Sequence, residues 1–207
     1  MEPVARQLLS YIEGLAPGAV FTPAQVTSMG GRAAVDQALS RAVKAGLIER
    51  LGRGVYHVPE HHQLVGQVPP APEAIAHALA AAHGEALQVT ELAAAHALGL
   101  VTQVPARTMY YVGRRIERPV LREFQVNLVS AGRRRLVGAG TAAGLVIQAL
   151  RFLGPKRITP AVIAQIQSRL PARARASVLR YRARVPAWMR PHLEAIAGER
   201  PTGSRNG

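Results

Sequence analysis

Gly31-Arg32-Ala33-Ala34-Val35-Asp36-Gln37-Ala38-Leu39-Ser40-Arg41-Ala42-Val43-Lys44-Ala45-Gly46, followed without a break by Leu47-Ile48-Glu49-Arg50-Leu51-Gly52-Arg53-Gly54-Val55-Tyr56-His57-Val58, decides the fold. At about 100° per residue, Val35, Leu39, Ala42 and Val43 fall on one side of a helix, with Ala38 beside them. The pattern predicts a helix over 32–45 that ends at Gly46. Strand-forming runs at 47–50 and 55–58 then face each other across Leu51-Gly52-Arg53-Gly54, a hairpin. The helix side opposite the apolar stripe carries Ala33, Gln37, Ser40, Arg41 and Lys44, types that reach base edges and phosphates from a major groove, with Gln suited to adenine and Arg to guanine. Asp36, the only aspartate of the chain, lies at the edge of that side beside Arg32, where it orients the guanidinium or supports the first turn. Arg53 stands on a turn narrow enough to enter a minor groove or touch a flanking phosphate. The candidate DNA contacts are Arg32, Ala33, Gln37, Ser40, Arg41, Lys44 and Arg53.

Upstream, Val4, Leu8, Leu9 and Ile12 repeat at helical spacing, so a first helix is predicted over 3–13. Thr22-Pro23 starts a short helix through about Ser28, and Gly30-Gly31 makes the turn into the polar-faced helix. Three helices and a hairpin make a winged helix-turn-helix domain over residues 1–68. A solvated helix face on a protein-binding module would share the individual features. The consecutive order of glycine turn, polar-faced helix and Arg-tipped hairpin favours DNA.

Val68-Pro69-Pro70-Ala71-Pro72 fits neither helix nor central strand and marks the linker, so a second domain is expected over 69–207. Helices are predicted over 73–83 and 91–98, strands over 108–112 and 120–129, and helices again over 144–153, 159–170, 172–184 and 188–197, with a frayed 201–207. The fold class is therefore α+β: an N-terminal winged helix-turn-helix domain followed by a larger mixed α/β domain with a helical, basic C-terminal part.

The 207 residues are 48% hydrophobic with a net charge of +14, which excludes disorder and points to a polyanion or an acidic protein partner. The charge is uneven: residues 1–68 carry +1, 69–149 carry +3 and 150–207 carry +10. The absence of cysteine removes disulfides, thiol nucleophiles and thiolate metal sites. The start Met1-Glu2-Pro3-Val4-Ala5-Arg6 lacks the pattern of a signal peptide, and no apolar run approaches the ~20 residues of a membrane span. A cytoplasmic protein without membrane contact is the expectation.

Gly138-Ala139-Gly140-Thr141-Ala142-Ala143 fits a dinucleotide fingerprint ending in alanine, but it follows Arg133-Arg134-Arg135 rather than a buried strand, and no acid between Glu123 and Glu194 could hold a ribose. A small-residue helix start explains it better, with phosphate binding beside the three arginines as a secondary idea. His57, His61 and His62 lie close in sequence without convergent partners other than Glu60, so a polar loop is expected there and no metal site. His77, His83 and His96 sit among alanines, with no partner for a catalytic dyad. No catalytic residue and no cofactor are assigned. Arg133, Arg134, Arg135, Arg173, Arg175, Arg180, Arg182 and Arg184 form the basic partner or phosphate surface, while Trp188 and Met189 read as anchors of the last helix.

Phe21-Thr22-Pro23, the segment 31–41, Lys44-Ala45-Gly46 and Arg50-Leu51-Gly52-Arg53-Gly54-Val55-Tyr56 resemble the N-terminal winged helix of AbiEi-type antitoxins of type IV toxin–antitoxin systems. Leu98-Gly99-Leu100, Thr102-Gln103-Val104-Pro105-Ala106 and Pro186-Ala187-Trp188-Met189 resemble that family's C-terminal domain. The resemblance implies a non-enzymatic antitoxin that represses its own operon through the winged helix and counters an AbiEii-type nucleotidyltransferase toxin through the C-terminal domain. Such a toxin needs paired acidic metal ligands, and a chain with one Asp cannot supply an Asp-x-Asp pair. The partners are then double-stranded operator DNA with inverted repeats and the toxin, engaged directly or indirectly, with the antitoxin a monomer in solution that binds DNA cooperatively. The alternative from another class is a catalytic regulator that modifies the toxin or its RNA substrate through the C-terminal domain.

Overall fold

The computed structural model describes residues 3–64, 66–116 and 119–198. Helices and strands alternate irregularly, an α+β fold in two compact units: residues 1–85 with 116–127, and residues 86–115 with 128–207.

In the first unit, α1 (Pro3–Glu13) buries Leu8 and Ile12, and α2 (Arg32–Lys44) buries Val35, Ala38, Leu39 and Ala42, the stripe its periodicity predicts. Between them the expected short helix is two 3₁₀ turns, Pro23–Gln25 and Thr27–Met29. Seven residues between Thr22 and the paired glycines are too few for α-helical propagation, and the Gln25 side-chain carbonyl instead holds the Thr22 amide at 2.6 Å and its hydroxyl at 2.9 Å. Strands β1 (Val20–Phe21), β2 (Glu49–Gly52) and β3 (Val55–His57) form an antiparallel sheet with β3 central. Phe21 stacks on Tyr56 at 5.7 Å and meets Tyr11 edge-on at 5.6 Å, which ties the sheet to α1. The hairpin is tighter than expected: Gly52 pairs with Val55, which leaves Arg53-Gly54 as a two-residue turn, and Gly54 takes φ +70.

The polar loop expected after this hairpin is a second one, β4 (Glu60–His62) with β5 (Gly66–Val68), held to the sheet by Gln67 donating to the Glu49 carboxylate. All three β4 residues are exposed, so no apolar alternation marks it in the sequence. The chain does not divide after Val68. Helix α3 (Pro72–Ala82) packs on β1 and β3 and buries Ile75, Ala76, Ala78 and Leu79, so it completes the first unit, and the division falls after Glu85. The strand expected over 120–129 is a short helix, α5 (Pro119–Glu123), then a strand: Phe124 donates to the Val120 carbonyl, and Gln125 at φ 54 stops the helix. α5 packs against β2 and so supplies the returning segment of the first unit.

In the second unit, β6 (Gln88–Val89), β7 (Thr108–Val112) and β8 (Val126–Ser130, which begins in the returning segment) form a three-stranded sheet in that order. Helix α6 (Ala142–Leu153) is the hub. Val146, Ile147, Ala149 and Leu150 are fully buried against Ala94 and Ala95 of α4 (Glu91–Ala97), small residues that let the two helices approach closely. Thr141 caps α6, accepting from the Gly144 amide at 3.2 Å, and Arg157 donates to the Leu153 and Phe152 carbonyls at its other end. The rest of the core comes from Ile166 of α7 (Pro160–Arg169), Val178, Met189, and Leu193 and Ile196 of α9 (Arg190–Ala197). The helix expected over 172–184 is α8 (Ala172–Ser177) continued as a 3₁₀ segment, Val178–Arg184, and the one over 188–197 starts with a 3₁₀ turn, Ala187–Met189. The expected frayed end, 201–207, lies outside the described residues.

Candidate functional site

Helix α2 and the Arg53 hairpin stand on either side of an open groove of about 650 Å³. α2 is placed by its buried stripe, and the hairpin by the pairing of β3 between β1 and β2, so neither wall depends on a long loop. From α2 it is lined by Arg32, Asp36, Ser40 and Val43, from the hairpin by Arg50, Arg53, Gly54 and Tyr56, and from the 3₁₀ turns by Pro23, Ala24 and Thr27. Arg32 and Asp36, one turn apart, form an ion pair at 3.8 Å with both side chains more than half exposed, a pair worth about 0–1 kcal/mol and easily exchanged for a ligand. Arg50 donates to the Gly52 carbonyl at 3.3 Å and braces the turn that presents Arg53.

Of the seven candidate contacts, the structure gathers Arg32, Ser40 and Arg53 into this groove. Ala33, Gln37, Arg41 and Lys44 are exposed on α2 but are not among the groove's lining. Arg50 and Tyr56 are the groove residues that sequence reasoning passed over. The signal was there in the strand register: Arg50 is the cross-strand partner of Tyr56, so the two share one face of the sheet. Three guanidinium groups and one carboxylate around an open groove can hold phosphate oxygens and accept a hydrogen bond from an amino group together.

On the opposite face of the same sheet sits His57, the first of the three clustered histidines and a core residue rather than part of a polar loop. Its side chain is 1% exposed, Nδ1 lies 3.6 Å from the Glu49 carboxylate, and neither ring nitrogen has a hydrogen-bond partner among the described residues. Burial lowers its pKa below 6.5, against the pull of Glu49 and Glu60. His61 and His62 lie on β4, and no group of three His, Asp or Glu side chains among the described residues could hold a metal.

In the second unit the basic surface is partly spoken for. Arg182 pairs with Glu194, and Arg184 lies over the Tyr181 ring at 5.9 Å. Arg135 donates to the Tyr111 hydroxyl at 3.1 Å while that hydroxyl donates to Glu91 at 2.7 Å; burial first, and the Glu91 hydrogen bond second, raise the Tyr111 pKa. Arg133, Arg134, Arg173 and Arg180 remain exposed, and Arg175 is half-buried. The glycine-rich motif is a packing device, and the phosphate idea attached to it gives way. Gly138 lies so close to the first turn of α6 that a Cβ on Gly144 would sit 2.1 Å from the Gly138 carbonyl oxygen, and the Thr141 hydroxyl already occupies the Gly144 amide.

No helix among the described residues is long and apolar enough to cross a membrane. No curated protein matches the chain. Among solved structures, the RV2827C protein of Mycobacterium tuberculosis is similar at 15% identity and a TM-score of 0.42, over 98% of this chain and 83% of that one. A family match covers residues 7–178, and the chain accordingly belongs to DUF6088, a family of unknown function.

Proposed function

We propose that the chain is a DNA-binding autorepressor that is also an antitoxin. Its first unit is a winged helix-turn-helix in which α2 enters the major groove of operator DNA and the Arg53 hairpin is the wing. The observation that carries this reading is the α2–hairpin groove, in which Arg32, Asp36 and Ser40 of α2 and an arginine on a two-residue turn line one open concavity together with Arg50. One such head covers only a few base pairs, so two protomers meet on inverted half-sites, about one helical turn of ~34 Å or a multiple of it apart. Neutralisation of a nucleotidyltransferase toxin belongs to the second unit, on the resemblance of Leu98-Gly99-Leu100 and Pro186-Ala187-Trp188-Met189 to AbiEi-type antitoxins. Arg173, Arg175 and Arg180, which have no ion pair among the described residues, offer charge to an acidic toxin surface or to its RNA substrate. The work is done from the cytoplasm and without a cofactor.

The test pairs two readouts in growing cells, with the protein supplied from an unrelated promoter. Replacing Arg41 and Arg53 together by alanine should abolish repression of a reporter driven by the native promoter and leave protection against the toxin encoded beside the gene intact. Replacing Arg173, Arg175 and Arg180 should do the reverse. A double variant that still represses, or that fails to protect at matched protein level, contradicts the division of labour.

A further inference from the structure

The groove holds one group that a phosphate-binding surface has no use for. Asp36 is exposed, lines the α2 wall, and is the only aspartate in a chain of net charge +14. Phosphate oxygens repel it, and support of the helix N-terminus does not account for it either. It is the fifth residue of α2, which has no acidic residue in its first turn, and the favourable dipole interaction fades beyond that turn. What a carboxylate can do in a major groove is accept a hydrogen bond from an exocyclic amino group, and only adenine N6 and cytosine N4 present one there. Beside the adenine amino group lies the N7 acceptor, which repels the second carboxylate oxygen; beside the cytosine amino group lies a C5–H, which does not. Across the base pair from that cytosine, guanine presents O6 and N7 as acceptors, the match for a guanidinium. Arg32 supplies one, 3.8 Å from Asp36 and exposed over most of its surface.

Resting on the DNA-binding reading above, we propose that Asp36 is a specificity-determining residue: its carboxylate accepts from the N4 amino group of one operator cytosine, while Arg32 donates to the guanine paired with it. The ion pair between the two side chains in the free protein holds both in the groove as a preformed acceptor–donor couple. Swapping the couple for a base pair exchanges an ion pair at 3.8 Å for charge-assisted hydrogen bonds to both bases, whereas an A·T pair leaves the carboxylate against N7 and the guanidinium without its second acceptor.

The experiment uses the full-length protein and a randomised 20-bp duplex pool, from which the wild type selects its preferred sequence. In that duplex each cytosine is replaced in turn by 2-pyrimidinone, which lacks the amino group, and affinity is read by fluorescence anisotropy. The wild type should lose about 5- to 150-fold at one cytosine per half-site, the range of a single base-reading contact. Asp36→Ala should bind the unmodified duplex more weakly by a similar factor, lose nothing further on pyrimidinone at that position, and bind random duplex as well as the wild type. Asp36→Asn should shift the preferred base there from cytosine to adenine. Equal sensitivity of Asp36→Ala and wild type at every position, or equal weakening on selected and random DNA with a normal melting temperature, overturns the role of Asp36 and leaves DNA binding standing. A wild type that enriches no sequence from the pool overturns both.

Discussion

Burial of His57 in the sheet of the first unit favours its neutral ring, because neither ring nitrogen has a hydrogen-bond partner among the described residues, and this outweighs the attraction of the Glu49 carboxylate 3.6 Å away. Its pKa is lowered in the folded state, so the unfolded chain binds a proton first as pH falls. The stability that neutral His57 contributes is whole above about pH 6.5 and is lost progressively below it. Melting temperatures between pH 7.5 and about 5 should therefore drop more steeply for the wild type than for His57→Leu; parallel curves would contradict the assignment. In the sequence, His57 looked like one of three histidines in a loop, since burial on a three-residue strand under α3 is a tertiary fact with no local signature. Arg53, by contrast, was placed correctly from sequence, because a glycine on either side leaves a turn as its natural home.

Helix periodicity carried through wherever a stripe was long enough to choose a face. Leu8 and Ile12 of α1 and Val35, Ala38, Leu39 and Ala42 of α2 are buried as their spacing predicts, while Val4, Leu9 and Val43 of the same stripes are half-buried. Short segments did not follow propensity. Val120-Leu121 has strand composition yet forms α5, where both side chains are buried, and the β4–β5 hairpin has no apolar pattern to announce it. The Pro-rich stretch after Val68 suggested an end to the first unit. It instead leads the chain into α3, whose buried residues pack on β1 and β3. The glycine-rich motif shows the same limit, since a nucleotide loop and a tight helix–loop contact use the same residues for close backbone approach. If its role is packing, Gly144→Ala should destabilise the second unit by about 1–3 kcal/mol or more, as overpacking does, visible as a lowered midpoint in urea unfolding. An unchanged midpoint would show that the contact is looser than the 2.1 Å clearance at Gly144 implies.

The whole chain joins a nearly neutral first unit to a strongly basic second one, and the charge sums made that contrast visible although they set its boundary at Val68 rather than Glu85. Sequence could not show which arginines are committed internally; Arg135 and Arg182 have carboxylate partners, while Arg173 and Arg180 stay exposed without one among the described residues. Nor could it show that α2 splits its polar residues between a groove wall and an outer face. Operator recognition of the kind proposed requires that groove to be a sequence-reading surface. Its most direct test is an anisotropy titration of the full-length protein on its own promoter duplex and on a shuffled duplex of the same composition, at fixed physiological salt. Promoter binding should be tighter by at least about 10³-fold and fall towards the shuffled value when Arg32, Asp36 and Arg53 are all replaced by alanine. Equal affinity for the two duplexes, or a triple variant that discriminates as the wild type does, would contradict it.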